Sequence, residues 1–248
     1  LQSKIPPLHP KLANIEPALI IFDKDGTLID FKTMWGNWMI GLAQRLEEAA
    51  GLSIAPQLFE AMDYDAESGH IAPEGNLAVT PMAGLRNLTY QVLQETSLSE
   101  TMISEIMAKV WHTPNPLTDS RPLADLSFLF GVLRTHGLKI AIATSDDHAP
   151  TEALVIEWGL SPLVDVMVGA DDGIPIKPAP DMVLYICDTL KIPPDKTVMV
   201  GDNVADLQMG RAAGVGLTVG VLSGVSTTME LTGEADIVLS AIGELIKT

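Results

Sequence analysis

Ala18-Leu19-Ile20-Ile21-Phe22-Asp23-Lys24-Asp25-Gly26-Thr27-Leu28 is the stretch whose reading decides the fold. An apolar run breaks off into two aspartates, a glycine and a threonine. The run is too short for a helix and is closed by turn residues, so it reads as a buried strand. Side chains alternate along a strand, which puts Asp23 and Asp25 on one side and points Lys24 away from them. Two neighbouring carboxylates repel each other and lose hydration, so the pair needs a cation or a proton to be tolerated. A strand end whose aspartates only cap a turn would look the same, because Asp-Gly turns are common. The rest of the chain has to separate the two readings.

Downstream, from Pro122 onward, apolar strands and amphipathic helices alternate. The pattern predicts helices over 124–135, 151–158, 181–190 and up to Ala213, and strands over 138–143, 164–168, 197–200, 217–222 and 237–239. Such alternation means an α/β fold: a doubly wound parallel sheet with helices on both faces. Sheets of this kind bind ligands beyond the carboxyl ends of their strands, at the switch point in strand order. Asp23 and Asp25, Thr144, Lys177, and Asp202 with Asp206 all follow apolar strands and share that address.

Upstream, residues 1–17 hold Pro6, Pro7, Pro10 and Pro17 and read as an extended lead-in. Between Phe31 and Ser120 the character changes. Trp35, Trp38, Met39, Leu42, Leu46 and Ala49 recur at helical spacing, with Gly51 as a C-cap, and further helices are expected over 85–95 and 99–111. Residues 63–75 are turn-rich, and Thr113-Pro114-Asn115-Pro116 closes the region. This gives a core of residues 1–30 and 121–248 and a mainly helical cap of residues 31–120. Trp35 and Trp38 are expected in the core, with a substrate platform as the alternative. His70 is expected as an exposed loop residue, and His148 as the opening residue of a helix.

Composition narrows the partners. The chain has 248 residues, 47% hydrophobic and 19% charged, with a formal net charge of −17. That charge argues against nucleic acid and against an anionic membrane surface, and no apolar run reaches membrane-spanning length. An anionic substrate would have to be drawn in by a local positive feature. Cys187 is the only cysteine. It falls in an apolar helical stripe, so a packed core thiol is expected, without a disulfide, in a reducing compartment. With no signal-peptide pattern, a cytoplasmic location follows. The chain opens on Leu1 rather than methionine, which leaves a removed targeting segment open. Monomer and homodimer are both open.

Four stretches in this order carry a resemblance: Asp23-Lys24-Asp25-Gly26-Thr27, Thr144 ending an apolar strand, Lys177-Pro178, and Gly201-Asp202-Asn203-Val204-Ala205-Asp206. Together they resemble the motifs of the haloacid dehalogenase-like (HAD) superfamily, in its phosphoglycolate-phosphatase-like branch with a helical cap between the first and second motifs. The resemblance implies that Asp23 is a nucleophile taking a phosphoryl group, and that Asp25 is the general acid and then the general base. It implies a Mg2+ site from Asp23, the Asp25 backbone carbonyl, Asp202 and Asp206, the last either as a ligand or by holding a metal-bound water. Lys177 would neutralise the nucleophile and phosphate. Thr144 and the amides of Gly26 and Thr27 would donate to phosphoryl oxygens; Ser145 would be a further contact, with a partner for local backbone as the commoner role of such a serine. Lys24 departs from the pattern, since that position is usually apolar in the family.

The implied reaction is hydrolysis of a small phosphorylated metabolite. Dehalogenase members lack a carboxylate at the position of Asp25, because a halide leaves without a proton. A phosphomutase of the same fold is the nearest rival, and a non-catalytic binding module is a third reading. Between Phe31 and Ser120 the basic residues besides histidine are Lys32, Arg45, Arg86 and Lys109, against eleven acidic ones. That is a poor lining for a second phosphate or for a carboxylate, so a neutral or sugar-like leaving group fits better.

Overall fold

Strand β1 (Leu19–Phe22) lies at the centre of a six-stranded, wholly parallel sheet in the computed structural model, which describes residues 5–72, 74–114 and 119–247. All four of its residues are buried, as a strand covered on both faces must be. Leu19 and Ile21 pack to one side and Ile20 and Phe22 to the other, in separate apolar clusters. The other sheet strands are β4 (Lys139–Ala143), β5 (Val166–Val168), β6 (Thr197–Gly201), β7 (Leu217–Val221) and β8 (Ile237–Leu239). Their order is β5-β4-β1-β6-β7-β8. The chain moves outward from β1 to β5, then returns to β6 on the other side of β1. The switch point therefore falls at the carboxyl ends of β4, β1 and β6.

Five helices serve this sheet: α7 (Leu126–Thr135), α8 (His148–Glu157), α9 (Asp181–Leu190), α10 (Val204–Ala213) and the short α11 (Thr228–Thr232). Helix α9 and Met209 of α10 cover the Leu19/Ile21 face, where Cys187 is a buried thiol whose pKa burial raises. Helix α7 covers the opposite face, with Phe130 stacked on Phe22 at 5.2 Å. Asp125 caps α7 through the Phe128 amide, and Gly214 closes α10 in the left-handed conformation.

Before the second sheet strand comes a helical stretch: α2 (Phe31–Ala50), α3 (Ala55–Ala61), α4 (Asn76–Val79), α5 (Met82–Gln94) and α6 (Glu100–Val110). A two-strand hairpin of β2 (Tyr64–Asp65) and β3 (His70–Ile71) sits among them. Asp30 and Ser99 cap α2 and α6, and Gly51 ends α2 as expected. The stretch leaves and rejoins the sheet through paired segments: the Asp30 amide donates to the Arg121 carbonyl and the Leu123 amide to the Leu28 carbonyl, both at 2.9 Å. Trp35 and Trp38 are buried edge-to-face, and Trp38 meets Trp111 in the same way. His70 is exposed, and His148 opens α8.

The structure differs from expectation at the amino end. The lead-in holds a helix, α1 (Pro10–Ile15), with Pro10 in its first turn, where a missing amide is harmless. Leu12 on this helix is fully buried against the core. Helices α3 and α4 are additions that were too short to show periodicity. Pro73, Asn115 and Pro116 of the predicted turn segments lie outside the described residues. Among those described, no helix is long and apolar enough to cross a membrane.

The Phe22–Phe130 contact joins the central strand to its covering helix, and both rings are fully buried. Phe130→Ala should lower unfolding stability by about 3–5 kcal/mol, read as a drop in the urea midpoint. A loss below about 1 kcal/mol would mean that this face of the sheet is not closely packed.

Candidate active site

Asp23 follows β1 directly, and its amide makes the last ladder bond to the Val200 carbonyl at 2.9 Å. The chain then folds back on itself. The Leu28 and Ile29 amides donate to the Lys24 carbonyl, and the Gly26 amide donates to the Ile29 carbonyl. Gly26 has φ +83°, and a Cβ there would lie 2.6 Å from Asp202 Oδ2. Only glycine serves on both counts. On the other flank, a Cβ on Gly224 would overlap the same carboxylate. Asp202 is thus walled in by backbone, and it is 2% exposed. Its Oδ2 accepts the Val225 amide at 2.8 Å and its Oδ1 accepts the Thr27 hydroxyl at 3.3 Å.

Asp206 lies in the first turn of α10, where a carboxylate also suits the helix dipole. Its Oδ2 accepts the Asn203 amide at 3.1 Å, completing a capping box. Lys177 reaches in from the loop between β5 and α9. Its ammonium sits 2.5 Å from Asp23 Oδ1 and 2.6 Å from Asp206 Oδ1. Asp23, Asp202 and Asp206 each offer one oxygen, and these oxygens lie within 4.8 Å of one another.

Such crowding shows in the titration of the groups. Burial pushes the Asp23 carboxyl up; Lys177 opposes this and Asp206 adds to it. Asp202 is held well above the usual carboxylate range by burial and by the charges of Asp23 and Asp206. Burial raises Asp25 to about 6, against the pull of Lys24 and with the push of Asp146 and Asp23. Burial alone would lower Lys177, but Asp206 and Asp23 reverse that and raise it. Three carboxylates against one ammonium leave a local surplus of negative charge. A hard, all-oxygen donor set with that surplus fits a divalent cation such as Mg2+.

The sequence-predicted residues fall as follows. Asp23, Asp25, Thr144, Ser145, Lys177, Asp202 and Asp206 all line one pocket of about 70 Å³. The Asp25 side chain lies outside the three-carboxylate cluster, leaving only its backbone carbonyl to serve there as the resemblance implies. Thr144 is 1% exposed and accepts the Asp146 amide at 3.1 Å, which leaves its own hydroxyl proton to donate. Gly26 and Thr27 differ from expectation. Their amides are committed to the carbonyls of Ile29 and Lys24, and the Thr27 hydroxyl goes to Asp202. In this structure they shape the acidic cluster rather than face the pocket.

Lys24 requires a correction. It does not point away from Asp25: its ammonium lies 2.8 Å from both Asp25 carboxylate oxygens and 3.1 Å from Asp146. Strand alternation fails there because the strand stops at Phe22 and the turn begins. Sequence reasoning also passed over Asp146, the Val225 amide and Gly224. Asp146 could have been suspected, as a second acid beside the Thr144 motif in need of a cation. The Val225 and Gly224 contacts carry no residue-type signal, since both are made by backbone.

A roof completes the pocket. Trp35 of α2, Leu77, Ala78 and Val79 of α4, and Thr80, Pro81 and Met82 supply the rest of its lining. Among the described lining residues, Lys177 is the one cation.

The chain has relatives among known proteins. Residues 17–214 match the family model of haloacid dehalogenase-like hydrolases. The chain is 26% identical over 204 residues to a phosphoglycolate phosphatase of Rhodospirillum rubrum, covering 82% of this chain and 79% of that one. It is 25% identical over 229 residues to a phosphoglycolate phosphatase of Aquifex aeolicus, covering 92% and 95%. Among solved structures, a HAD phosphatase from Thermococcus onnurineus superposes with a TM-score of 0.63 at 19% identity, over 92% of this chain and 95% of the other, a likeness of fold.

The raised carboxyls predict how stability varies with pH. A carboxyl whose pKa rises on folding holds its proton more tightly in the native state, so stability falls as pH rises through that pKa. The lowered carboxyls, Glu47, Asp65, Asp172 and Glu230, act oppositely but only in acid. Without divalent cations, the unfolding temperature should therefore fall between about pH 5 and pH 8, and Mg2+ should restore it at the upper end. Asp202→Asn should flatten the slope and abolish the Mg2+ response. An unfolding temperature that rises over this range, or a Mg2+ response that survives the substitution, would contradict the account.

Proposed function

The chain belongs to the haloacid dehalogenase-like hydrolases, among their phosphatases, and on that premise we propose that it hydrolyses a small phosphomonoester with Mg2+ through an aspartyl-phosphate at Asp23. The observation that carries this reading is the division between the two aspartates of the first motif. Asp23 is paired with Lys177 in the carboxylate cluster, whereas the Asp25 side chain is not part of it, is paired with Lys24 and is raised to about 6. A group near that value can give a proton and take one back close to neutrality. Burial raises both acids, so what separates them is their partners: Lys177 for Asp23 and Lys24 for Asp25.

Asp23, Asp202 and Asp206 would hold the Mg2+, with the Asp25 carbonyl. When bound, the ion supplies positive charge to the phosphoryl oxygens. Asp23 attacks phosphorus through a carboxylate oxygen, and the bond to the leaving oxygen breaks. Asp25 delivers its proton to that oxygen. Water then attacks phosphorus and gives a proton to Asp25, releasing inorganic phosphate and the Asp23 carboxylate. Lys177 holds Asp23 in line, and Thr144 and Ser145 donate to phosphoryl oxygens. The helical stretch of residues 31–120 acts as a cap that closes over the substrate and controls water.

The roof supports a narrower reading of the substrate. Leu77, Ala78, Val79, Pro81 and Met82 present apolar surface, and Lys177 is already held by two carboxylates. An uncharged leaving group fits this lining better than the carboxylate of phosphoglycolate, for which the relatives are named. The same lack of a second cation among the described lining residues disfavours a phosphomutase, which must hold a second phosphate.

Purified protein with Mg2+ should hydrolyse 4-nitrophenyl phosphate, and Asp23→Asn should abolish turnover. Activity that survives the substitution or full chelation would contradict the mechanism. Mg2+ binding with no hydrolysis across a broad phosphomonoester panel would favour a binding module. Within such a panel, kcat/KM for glycerol phosphate should exceed that for 2-phosphoglycolate by about tenfold or more. The reverse order would contradict the substrate reading alone.

A further inference from the structure

Lys24 has no part in the steps above, yet it is among the most completely buried side chains of the protein, at 0% exposure. A buried ammonium is tolerated only where opposite charge and hydrogen bonds meet it. Its partners are Asp25, met through both carboxylate oxygens at 2.8 Å, and Asp146 at 3.1 Å. Lys24 itself is not among the residues lining the pocket, so it does not touch a bound phosphate, whereas Asp25 and Asp146 both line it.

Asp146 is fixed from several directions. Its Oδ1 accepts the Asp147 amide at 2.9 Å, its amide donates to Thr144 Oγ1 at 3.1 Å, and its carbonyl accepts the Ala170 amide at 2.9 Å. The ammonium thus ties Asp25, on a turn after β1, to a rigid point after β4. A carboxylate gripped through both oxygens has its side-chain rotation fixed. Without that grip, Asp25 would be a short side chain on a glycine-containing turn.

From this geometry we infer that Lys24, anchored by Asp146, is a positioning residue that holds the Asp25 carboxyl where it meets the leaving oxygen. The inference rests on the reading of Asp25 as the general acid. It requires no direct contact between Lys24 and substrate.

The test uses leaving groups that differ in their need for a proton. 4-Nitrophenolate departs unaided, while the alkoxide of glycerol phosphate must be protonated. The parameter is kcat/KM, which reports only the first half-reaction, the transfer of the phosphoryl group to Asp23. Lys24→Met should lower kcat/KM for glycerol phosphate by about 100-fold or more, the usual worth of a general acid, and that for 4-nitrophenyl phosphate by about fivefold or less. Its kcat should fall on both substrates, because Asp25 then serves as base in a step they share.

Lys24→Met leaves Asp25 facing Asp146 without a cation, so the double variant Lys24→Met/Asp146→Asn is needed beside it. The double variant should regain the wild-type unfolding temperature and keep the substrate split. Equal loss of kcat/KM on both substrates, no loss of kcat/KM on either, unfolding of the double variant as well, or its full recovery of kcat/KM on glycerol phosphate would each overturn the inference and leave Lys24 as a scaffold or charge-balancing residue. Absence of hydrolysis by the wild-type protein would instead overturn the phosphatase reading itself.

Discussion

Buried negative charge is the constraint on which this structure depends. Asp23, Asp202 and Asp206 bring carboxylate oxygens within 4.8 Å of one another, with Asp25 and Asp146 close by. Removing the partner of a buried charge costs about 3–5 kcal/mol, so a fold can carry this group only if each member is answered. Two lysines answer most of it. Lys177 lies between Asp23 and Asp206, and Lys24 between Asp25 and Asp146. Among the described residues Asp202 makes no direct ion pair and feels Lys177 only at a distance; it has the Val225 amide, the Thr27 hydroxyl and two close-packed glycines instead. With Asp23 and Asp206 it forms an all-oxygen group that fits a divalent cation.

The sheet makes this concentration possible. Three adjacent parallel strands, β4, β1 and β6, end on the same side, and each delivers its acids at the end of a run of buried residues. The strands are apolar to their last residue, so the change to polar chemistry takes place over a single peptide unit. Backbone hydrogen bonds then lock the turns: the Lys24 carbonyl accepts from Leu28 and Ile29, and Asp146 is pinned to Ala170. The roof of residues 77–82 brings apolar surface against this charged floor. That contrast supports a reading in which phosphate meets the floor and an uncharged group meets the roof.

Much of the fold was legible because burial on both faces leaves a plain signal. The four apolar residues of β1, the helix at 181–190 and the glycine ends at 51 and 214 all fall where pattern and capping place them. Short elements were not legible. Helix α4 spans only Asn76–Val79, too few residues to show a period, yet it supplies part of the roof. In the site, carboxylates after strands were legible from residue type and topological address. Lys24 was misread because strand alternation was carried one turn too far, past the last residue of β1. The roles of Gly224 and Val225 could not be read, because backbone amides and missing Cβ atoms leave no mark in residue chemistry until the chain has folded. The amides of Gly26 and Thr27 erred the other way: the motif suggested donors, and the turn uses them internally.

The central claim is that Asp23, and no other acid of the cluster, takes the phosphoryl group. The most direct measurement is to quench turnover in acid, reduce with borohydride, which converts an aspartyl-phosphate to homoserine, and locate the product by mass spectrometry. The account predicts homoserine at position 23 and nowhere else. Homoserine at position 25, 202 or 206, or turnover that leaves position 23 unmodified under conditions that trap the intermediate, would contradict it.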